Sequence, residues 1–252
     1  MSYKEETVRT EMLLGAEAMK KLRNARVAVF GVGGVGGYLC EALARVGVGA
    51  IDLFDNDAVS LSNINRQIIA LHSTVGRSKV EVMRERILDI NPDCRVRAYQ
   101  TFYLPENADD YPLDGYDYIA DAVDTVAAKI ELAVRADRMG VPIIAAMGAG
   151  NKLDPTRFAV KDLFETSGCP LARVMRRELK ARGIKKLKVV FSDEPAAVRP
   201  SDAPADVYDS DTTGGCDTTH KKSPPASLSF VPSVMGLIMA GEIVKEIAAC
   251  AR

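Results

Sequence analysis

A glycine-rich stretch directly after an apolar run is the first feature of the sequence that could do chemistry. The run Arg26–Phe30 is followed by Gly31-Val32-Gly33-Gly34-Val35-Gly36, a G-x-G-x-x-G pattern, and then by a predicted helix from about Gly34 to Val46. Glycines let the backbone turn tightly and approach a phosphate, and a helix start offers free N–H groups. The pattern predicts a nucleotide-binding loop, with a tight turn that binds no ligand as the alternative.

An acidic residue follows the second predicted strand, Ala50–Phe54. Asp55 lies 24 residues beyond Gly31, which is the distance at which a carboxylate can accept hydrogen bonds from ribose hydroxyls. The loop and Asp55 together indicate a nucleotide without selecting one, since NAD, FAD and ATP all remain compatible.

Two cations in the next segment distinguish between these nucleotides. Arg66 ends a polar stretch that also contains Asn63, and Lys79 lies at the start of the next predicted helix. A triphosphate needs cationic donors to balance the charge that develops at phosphorus, whereas NAD needs none. Arg66, Lys79 and Asn63 are therefore predicted to bind ATP, the alternative being that the two cations are ordinary surface residues.

Asp121 and Asp124 lie at the end of the predicted strand Tyr116–Ala120. Ligands of open parallel sheets bind at this edge, and a carboxylate there can hold Mg²⁺ against phosphates. Asp124 is the predicted magnesium ligand. Alternatively, or in addition, it caps the following helix, Val126–Met139.

Composition excludes several classes of protein. The chain has 252 residues, a formal net charge of −1 and 47% hydrophobic residues, which fits an α/β protein and not a generally basic nucleic-acid binder. Two histidines exclude a histidine-rich metal site. Five cysteines without a C-x-x-C pair predict a reduced, cytoplasmic protein, and the N-terminus shows no signal peptide.

Strand and helix patterns alternate over the first two-thirds of the chain. They predict an α/β fold with a doubly wound, Rossmann-like sheet over 26–150, carried on a single domain of residues 1–252. Residues 151–252 are predicted to form a C-terminal α/β extension. It comprises a basic helix over 171–182, a mobile acidic loop over 193–226, a strand over 227–231 and a helix over 233–249. The uncharged run over 223–241 contains three prolines and several serines and is a poor membrane span, with membrane association of the apolar helix as the alternative.

The basic helix concentrates positive charge in a chain that is otherwise balanced. Its candidate phosphate-binding residues are Arg173, Arg176, Arg177 and Lys180, and Glu178 is the only acid among them. Such a patch is typical of nucleic-acid contact, with a solvated helix face as the alternative. Cys169, just before this helix, is either a transient thioester nucleophile or a packing residue.

The order of these motifs resembles the ATP-adenylating domain of the MoeB/ThiF/HesA superfamily, to which ubiquitin-activating enzymes belong. The resemblance rests on G-V-G-G-V-G, D-N-D-A-V-S-L-S-N-I-N-R-Q, V-G-R-S-K-V-E and D-A-V-D-T, and covers roughly residues 9–150. It implies that Asp55 binds ribose, that Arg66 and Lys79 bind phosphates and that Asp124 serves the metal. It also implies a homodimer in which Arg9 reaches into the partner's site.

Further segments are similar to one branch of that superfamily, the tRNA threonylcarbamoyladenosine dehydratases (TcdA-type). They are Arg9-Thr10-Glu11, Asn65-Arg66-Gln67-Ile68, Gly148-Ala149-Gly150, Asp154-Pro155-Thr156 and Cys169-Pro170-Leu171-Ala172. The resemblance implies ATP-dependent activation of the carboxylate of N6-threonylcarbamoyladenosine in tRNA, with ring closure and net loss of water. A cysteine desulfurase system is a further partner to consider.

Two other functions remain open at this stage. One is an adenylyltransferase that activates the C-terminus of a ubiquitin-like sulfur carrier, although the two C-x-x-C pairs usual in that branch are absent here. The other is a nucleotide-binding scaffold without turnover.

Overall fold

The computed structural model describes residues 5–198 and 225–249. Seven helices and seven strands are named here in chain order: α1 Val8–Leu14, α2 Ala16–Asn24, β1 Arg26–Phe30, α3 Gly36–Val46, β2 Ala50–Phe54, α4 Lys79–Ile90, β3 Arg95–Tyr99, β4 Tyr118–Asp121, α5 Val126–Met139, β5 Ile143–Ala146, β6 Phe158–Asp162, α6 Pro170–Ala181, β7 Lys188–Ser192 and α7 Phe230–Ala249.

All seven strands belong to one sheet in the order β3-β2-β1-β4-β5-β7-β6. Every neighbouring pair is parallel except β6 with β7. The chain winds outward from β1 in one direction and from β4 in the other, so the crevice of this doubly wound sheet opens between the carboxyl ends of β1 and β4. The predicted fold class is confirmed. Strands β6 and β7 of residues 151–252 extend the same sheet.

Alternate side chains of the central strands serve the two faces of the sheet. Val27, Val29, Ile51 and Leu53 join the core beneath the face covered by α2, α3, α4 and α7. Ala28, Phe30 and Ile119 belong to a second core, against α5. Because both faces are covered, the strands read as continuous apolar runs, which is why the sequence located them well.

The C-terminal region differs from its prediction. No strand forms over residues 227–231; they lead into α7, which begins at Phe230. This apolar helix packs on α2 and α3, and its hydrophobic side chains complete the core of that face. Residues 227–231 alternate serines with apolar residues over only five positions. So short a segment does not distinguish a strand from the approach to a buried helix.

The acidic loop predicted over 193–226 lies mostly outside the described residues. The structure describes only its first residues, 193–198, and its last two, 225–226. In the same described portion of the chain, no helix is long and apolar enough to cross a membrane.

Candidate functional site

The glycine loop connects β1 to α3 at the crevice. Gly31 has φ +87°, and a Cβ there would lie 2.7 Å from the carbonyl oxygen of Ala122. A Cβ on Gly36 would lie 1.8 Å from the carbonyl oxygen of Gly31. No other residue fits these two positions, so the loop keeps a bare backbone next to the start of α3. That geometry is a cradle for phosphate oxygens.

Asp55 is fixed at the end of β2, beside this loop. Its Oδ2 accepts a hydrogen bond from the N–H of Val32 at 2.7 Å, and its Oδ1 accepts one from the N–H of Asp57 at 2.9 Å. Burial raises the pKa of the Asp55 carboxyl, against the opposing charge of Lys79 and these two N–H groups. Each carboxylate oxygen keeps a lone pair that could accept from a ribose hydroxyl.

Lys79 opens α4 as a buried cation, with only 4% of its surface exposed. Its Nζ donates to Oδ2 of Asp57 at 2.6 Å, and its backbone N–H donates to the Asp57 carbonyl at 3.0 Å. A lysine charge is rarely buried without a partner, so Asp57 holds Lys79 in place next to Asp55.

The spacing of Ser78 and Glu81, a serine followed three residues later by a glutamate, predicts a capping box at the start of α4, but no such box forms. Ser78 is the N-cap residue, but its side chain makes no capping hydrogen bond and its buried Oγ has no hydrogen-bond partner. The entry to α4 is held instead by the pairing of Lys79 with Asp57 and by an isolated bridge between Ala58 and Ser78. Sequence reasoning missed Asp57, although it stands two residues after Asp55.

Arg66 reaches the glycine loop from a turn of residues 60–67. A Cβ on Gly34 would lie 3.6 Å from Cγ of Arg66. Asn63 shapes the turn, because its Oδ1 accepts from the N–H of Ser60 at 3.1 Å. The buried Oε1 of Gln67 has no hydrogen-bond partner, and Nε2 of Gln67 would lie 3.7 Å from a Cβ on Gly33. The turn therefore packs against the loop through the aliphatic stem of Arg66 and the amide of Gln67.

The two aspartates after β4 have different environments. Asp121 is buried, with Oδ1 3.0 Å from Nζ of the fully buried Lys129. Burial raises the pKa of Asp121, whereas Lys129 lowers it. Asp121 is therefore part of the core beneath the crevice and not one of its exposed acids, a correction to the sequence interpretation. Asp124 is exposed, and Thr125 takes the N-cap position of α5 that Asp124 was given as an alternative.

The residues present fit a magnesium ion only together with phosphates. Within residues 5–198 and 225–249, no group of three or more His, Cys, Asp or Glu side chains could hold a metal by itself. Mg²⁺ in nucleotide sites commonly uses one or two carboxylates plus substrate phosphates. The exposed Asp124 can supply such a carboxylate.

The basic helix is α6, and its cations fall into two groups. Arg173 and Lys180 are exposed, and Arg177 is exposed beside Glu178, with which it forms an ion pair at 2.8 Å. Arg176 turns inward: its guanidinium donates to the Thr166 carbonyl at 2.8 Å and to the Thr166 hydroxyl. Arg176 thus fastens the turn before α6, and the predicted set of four tRNA-binding residues is not uniformly available to solvent.

The remaining sequence candidates are Arg9 and the cysteines. Arg9 is exposed on α1, close to the exposed side chains of Met12 and Leu13. Cys169 is the buried N-cap residue of α6, where its side chain makes no capping hydrogen bond. Cys40 and Cys94 are buried and free, and burial raises the pKa of Cys94 to about 11. Cys216 and Cys250 lie outside the described residues.

Known proteins share this chain's sequence and backbone over nearly its whole length. The model of the ThiF family matches residues 7–252. A tRNA threonylcarbamoyladenosine dehydratase from Bacillus subtilis is 45% identical over 240 residues, covering 95% of this chain and 93% of that protein. The Escherichia coli tRNA N6-threonylcarbamoyladenosine dehydratase in complex with ATP superposes with a TM-score of 0.84 at 34% identity, covering 98% and 95% of the two chains.

Similarity to a sulfur-transfer protein is shorter. The probable adenylyltransferase/sulfurtransferase MoeZ of Mycobacterium tuberculosis is 43% identical over 116 residues, which cover 46% of this chain and 29% of that protein. The family match and the near full-length relatives lead to one conclusion: the chain belongs to the ThiF family, and its resemblance to the tRNA threonylcarbamoyladenosine dehydratases extends beyond the nucleotide-binding half.

Proposed function

We propose that this chain is an ATP-dependent dehydratase of N6-threonylcarbamoyladenosine in tRNA. The observation that carries the proposal is the buried Lys79, held by Asp57 beside Asp55 at the edge of a glycine loop. A buried cation next to a ribose-binding carboxylate suits a nucleotide with phosphates to be neutralised. The near full-length relatives named for this activity support the same substrate.

The proposed first step is adenylation. A carboxylate oxygen of the modified nucleoside attacks the α-phosphorus of ATP, the bond to the bridging oxygen breaks and pyrophosphate leaves. Lys79 and Arg66 balance the charge that develops on the phosphate oxygens, Asp55 orients the ribose, and Asn63 with Gly31, Gly33, Gly34 and Gly36 shapes the cradle. Asp124 would hold a Mg²⁺ ion, which would supply positive charge to the phosphates.

The proposed second step closes a ring. A nucleophilic group of the same side chain attacks the activated acyl carbon, and AMP leaves with the former carboxylate oxygen. The substrate thereby loses one water in total, and ATP is converted to AMP and pyrophosphate.

The assembly around this chemistry is also proposed. The chain works as a cytoplasmic homodimer in which Arg9 completes the partner's site, and a cysteine desulfurase system is a candidate partner. Arg173, Arg177 and Lys180 contact tRNA phosphates, since all three are exposed on α6. Helix α6 begins near the carboxyl end of β5, because a Cβ on Gly148 would lie 3.9 Å from Sγ of Cys169. Its exposed cations can therefore guide tRNA toward the crevice.

One incubation tests the reaction. Protein, Mg-ATP and tRNA carrying N6-threonylcarbamoyladenosine are mixed, and the nucleosides are analysed by mass spectrometry. The expected product is lighter by one water and forms only with ATP. The Lys79→Ala variant should leave the nucleoside unchanged.

The alternative activity, adenylation of a ubiquitin-like sulfur carrier, predicts a different result. AMP would then form only when a carrier protein with a free C-terminus is added, and the nucleoside would keep its mass. The MoeZ similarity is confined to less than half of this chain, which favours the tRNA reaction.

A further inference from the structure

A chain of hydrogen bonds connects Arg66 to a turn whose central residue, Asn151, belongs to none of the quoted motifs. It begins at Asn151, which follows Gly150 after β5. Asn151 has φ +56°, and among the residues that the structure describes it is the only non-glycine with a positive φ. Asparagine tolerates this left-handed conformation better than most residues. Such a backbone needs surrounding contacts to hold it.

Two hydrogen bonds join Asn151 to Ala226, which follows the undescribed residues 199–224 in the sequence. The N–H of Asn151 donates to the Ala226 carbonyl at 2.7 Å, and Oδ1 of Asn151 accepts from the N–H of Ala226 at 2.8 Å. Both backbone groups of Ala226 are thereby fixed by one residue.

The turn around Asn151 is itself anchored. Its carbonyl accepts from the N–H of Ala197 at 2.8 Å. The Glu194 carboxylate accepts from the N–H groups of Leu153 at 2.8 Å and Asp154 at 3.2 Å, while the buried Lys152 donates to the Glu194 carbonyl at 2.5 Å. Asn151 is therefore a fixed support and not a loose loop residue.

Ser227, the residue after Ala226, connects this turn to Arg66 through Asn65. The Ser227 carbonyl accepts from Nδ2 of Asn65 at 3.0 Å, and Oδ1 of Asn65 accepts from the Arg66 guanidinium at 3.0 Å. The opposite orientation of the Asn65 amide would put an oxygen against the carbonyl and an NH₂ against the guanidinium, so only one orientation satisfies both. The Ser62 carbonyl holds the same guanidinium nitrogen at 3.0 Å.

We propose that Asn151 and Asn65 are positioning residues that hold the Arg66 side chain, whose Cγ adjoins the glycine loop, in one conformation before the nucleotide binds. This inference rests on the proposed role of Arg66 at the ATP phosphates. Arginine has many rotamers, and fixing one in advance removes an entropic cost from binding and from the reaction. If Asn151 and Asn65 act by positioning Arg66, their substitution should affect ATP binding only while Arg66 is present. A residue that only stabilises the fold would not show this dependence.

The experiment compares Asn151→Gly in the parent protein and in the Arg66→Ala variant. Glycine keeps the φ of the turn but lacks the Oδ1 acceptor. Calorimetry with Mg-ATP should show affinity falling roughly three- to tenfold in the parent background, as expected for one lost hydrogen bond. In the Arg66→Ala background the further loss should be under about twofold, because the two changes act on one interaction. Asn151→Asp retains the acceptor and should restore most of the affinity.

Three controls and outcomes decide the matter. Asn107→Gly removes an equivalent loop hydrogen bond, from the N–H of Leu104 at 2.8 Å, and should leave ATP affinity unchanged. Equal losses from Asn151→Gly in both backgrounds, or no loss in the parent, would overturn the proposal. Failure of the dehydratase function is a separate result: the parent would bind ATP with the predicted pattern and still leave the tRNA nucleoside unchanged.

Discussion

Two lysine–aspartate ion pairs lie at or beneath the crevice, and they differ in their access to it. Lys79, with 5% of its side chain exposed, pairs with the 30% exposed Asp57 beside Asp55. Lys129 and Asp121 form a fully buried pair, with 0% and 1% of their side chains exposed. A buried ion pair contributes little net stability, but removing one partner leaves an uncompensated charge. Lys79 borders the crevice, where a phosphate could replace Asp57 as its partner. Lys129 and Asp121 are fully buried and have no access to a ligand.

The Lys79 pair yields a prediction at the residue scale. Lys79→Ala should lower the rate of AMP formation by about 10²- to 10³-fold, because a preorganised cation at the developing charge is lost. It should also lower thermal stability, since Asp57 is left unpaired. Measurements are AMP release with the tRNA substrate and thermal melting.

The double variant Asp57→Ala/Lys79→Ala separates the two effects. It removes the unpaired carboxylate and should recover part of the stability while activity stays low. Recovery of activity in the double variant would show that Lys79 only neutralises Asp57.

At the scale of elements, α6 is an amphipathic helix whose arginines differ in their contacts: some are exposed to solvent and one binds a neighbouring turn. The buried face of α6 consists of Ala172, Met175 and Leu179. Arg176 donates a hydrogen bond to the carbonyl of Thr166 in the preceding turn. Arg173 and Lys180 remain exposed. The concentration of cations was visible in the sequence, but the inward turn of Arg176 was not.

This division predicts different outcomes for neighbouring residues. Arg173→Ala/Lys180→Ala should weaken tRNA binding and reduce the slope of log K against log salt by up to about two, roughly one per lost phosphate contact. Arg176→Ala should instead lower the melting temperature and change the salt slope less. Binding of labelled tRNA at several salt concentrations checks the first claim; an unchanged slope in the double variant means that α6 is only a solvated face.

Helices α3 and α4 are fastened together through Glu41. Its carboxylate accepts from Arg86 at 2.6 Å on α4 and from Arg45 at 2.8 Å on α3. Burial alone would raise the pKa of Glu41, but the hydrogen bonds and charges of Arg86 and Arg45 outweigh it and hold the pKa below its usual value. Since α3 starts at the glycine loop and α4 starts at Lys79, this contact helps to keep the two parts of the site in register.

A pH-dependent stability follows from Glu41. A carboxylate with a lowered folded pKa stabilises the protein above the ordinary Glu value of about 4.3, and that contribution disappears as pH falls through the folded value. Glu41→Gln should therefore reduce the free energy of unfolding by about 1–2 kcal/mol at pH 7 and by progressively less between about pH 5 and pH 3. Urea unfolding across this range measures it. Glu81→Gln, in an exposed pair with Arg84, is the control and should change little.

Within residues 5–198 and 225–249, one seven-stranded sheet forms the centre of the molecule, and its crevice lies where the strand order reverses. The glycine loop, Asp55 and Asp124 follow three strands that end at this edge, so chain topology gathers residues separated by nearly 100 positions in sequence. Arg9 is exposed on α1, and we propose that it enters the crevice of a second copy of the chain.

A mixing experiment tests that arrangement. Arg9→Ala and Lys79→Ala proteins should each be inactive, and mixed dimers should regain up to half of the activity per dimer, because one of the two sites then has both residues. Subunit exchange is followed by differently tagged chains. No recovery after confirmed exchange places the action of Arg9 within its own subunit, or removes it from the reaction.

Much of the fold and the outline of the site were determined by local sequence. The strands β1 and β2 and the helix α5 have the predicted bounds. Buried parallel strands are continuous apolar runs, and glycines or prolines mark the ends of such elements. The glycine loop was predictable for a similar reason: only glycine suits the backbone at Gly31 and Gly36.

What remained undetermined depends on partners distant in the sequence. Asp121 and Asp124 look alike in one strand-end motif, yet Lys129 makes the first a core residue; Arg176 and Arg177 are adjacent, yet Thr166 engages only the first. Asn151 carries no motif at all, and its link to Arg66 exists only because residues 225–227 lie between them. Tertiary structure decided these cases because a polar side chain's availability depends on which groups surround it, and those groups come from elsewhere in the chain.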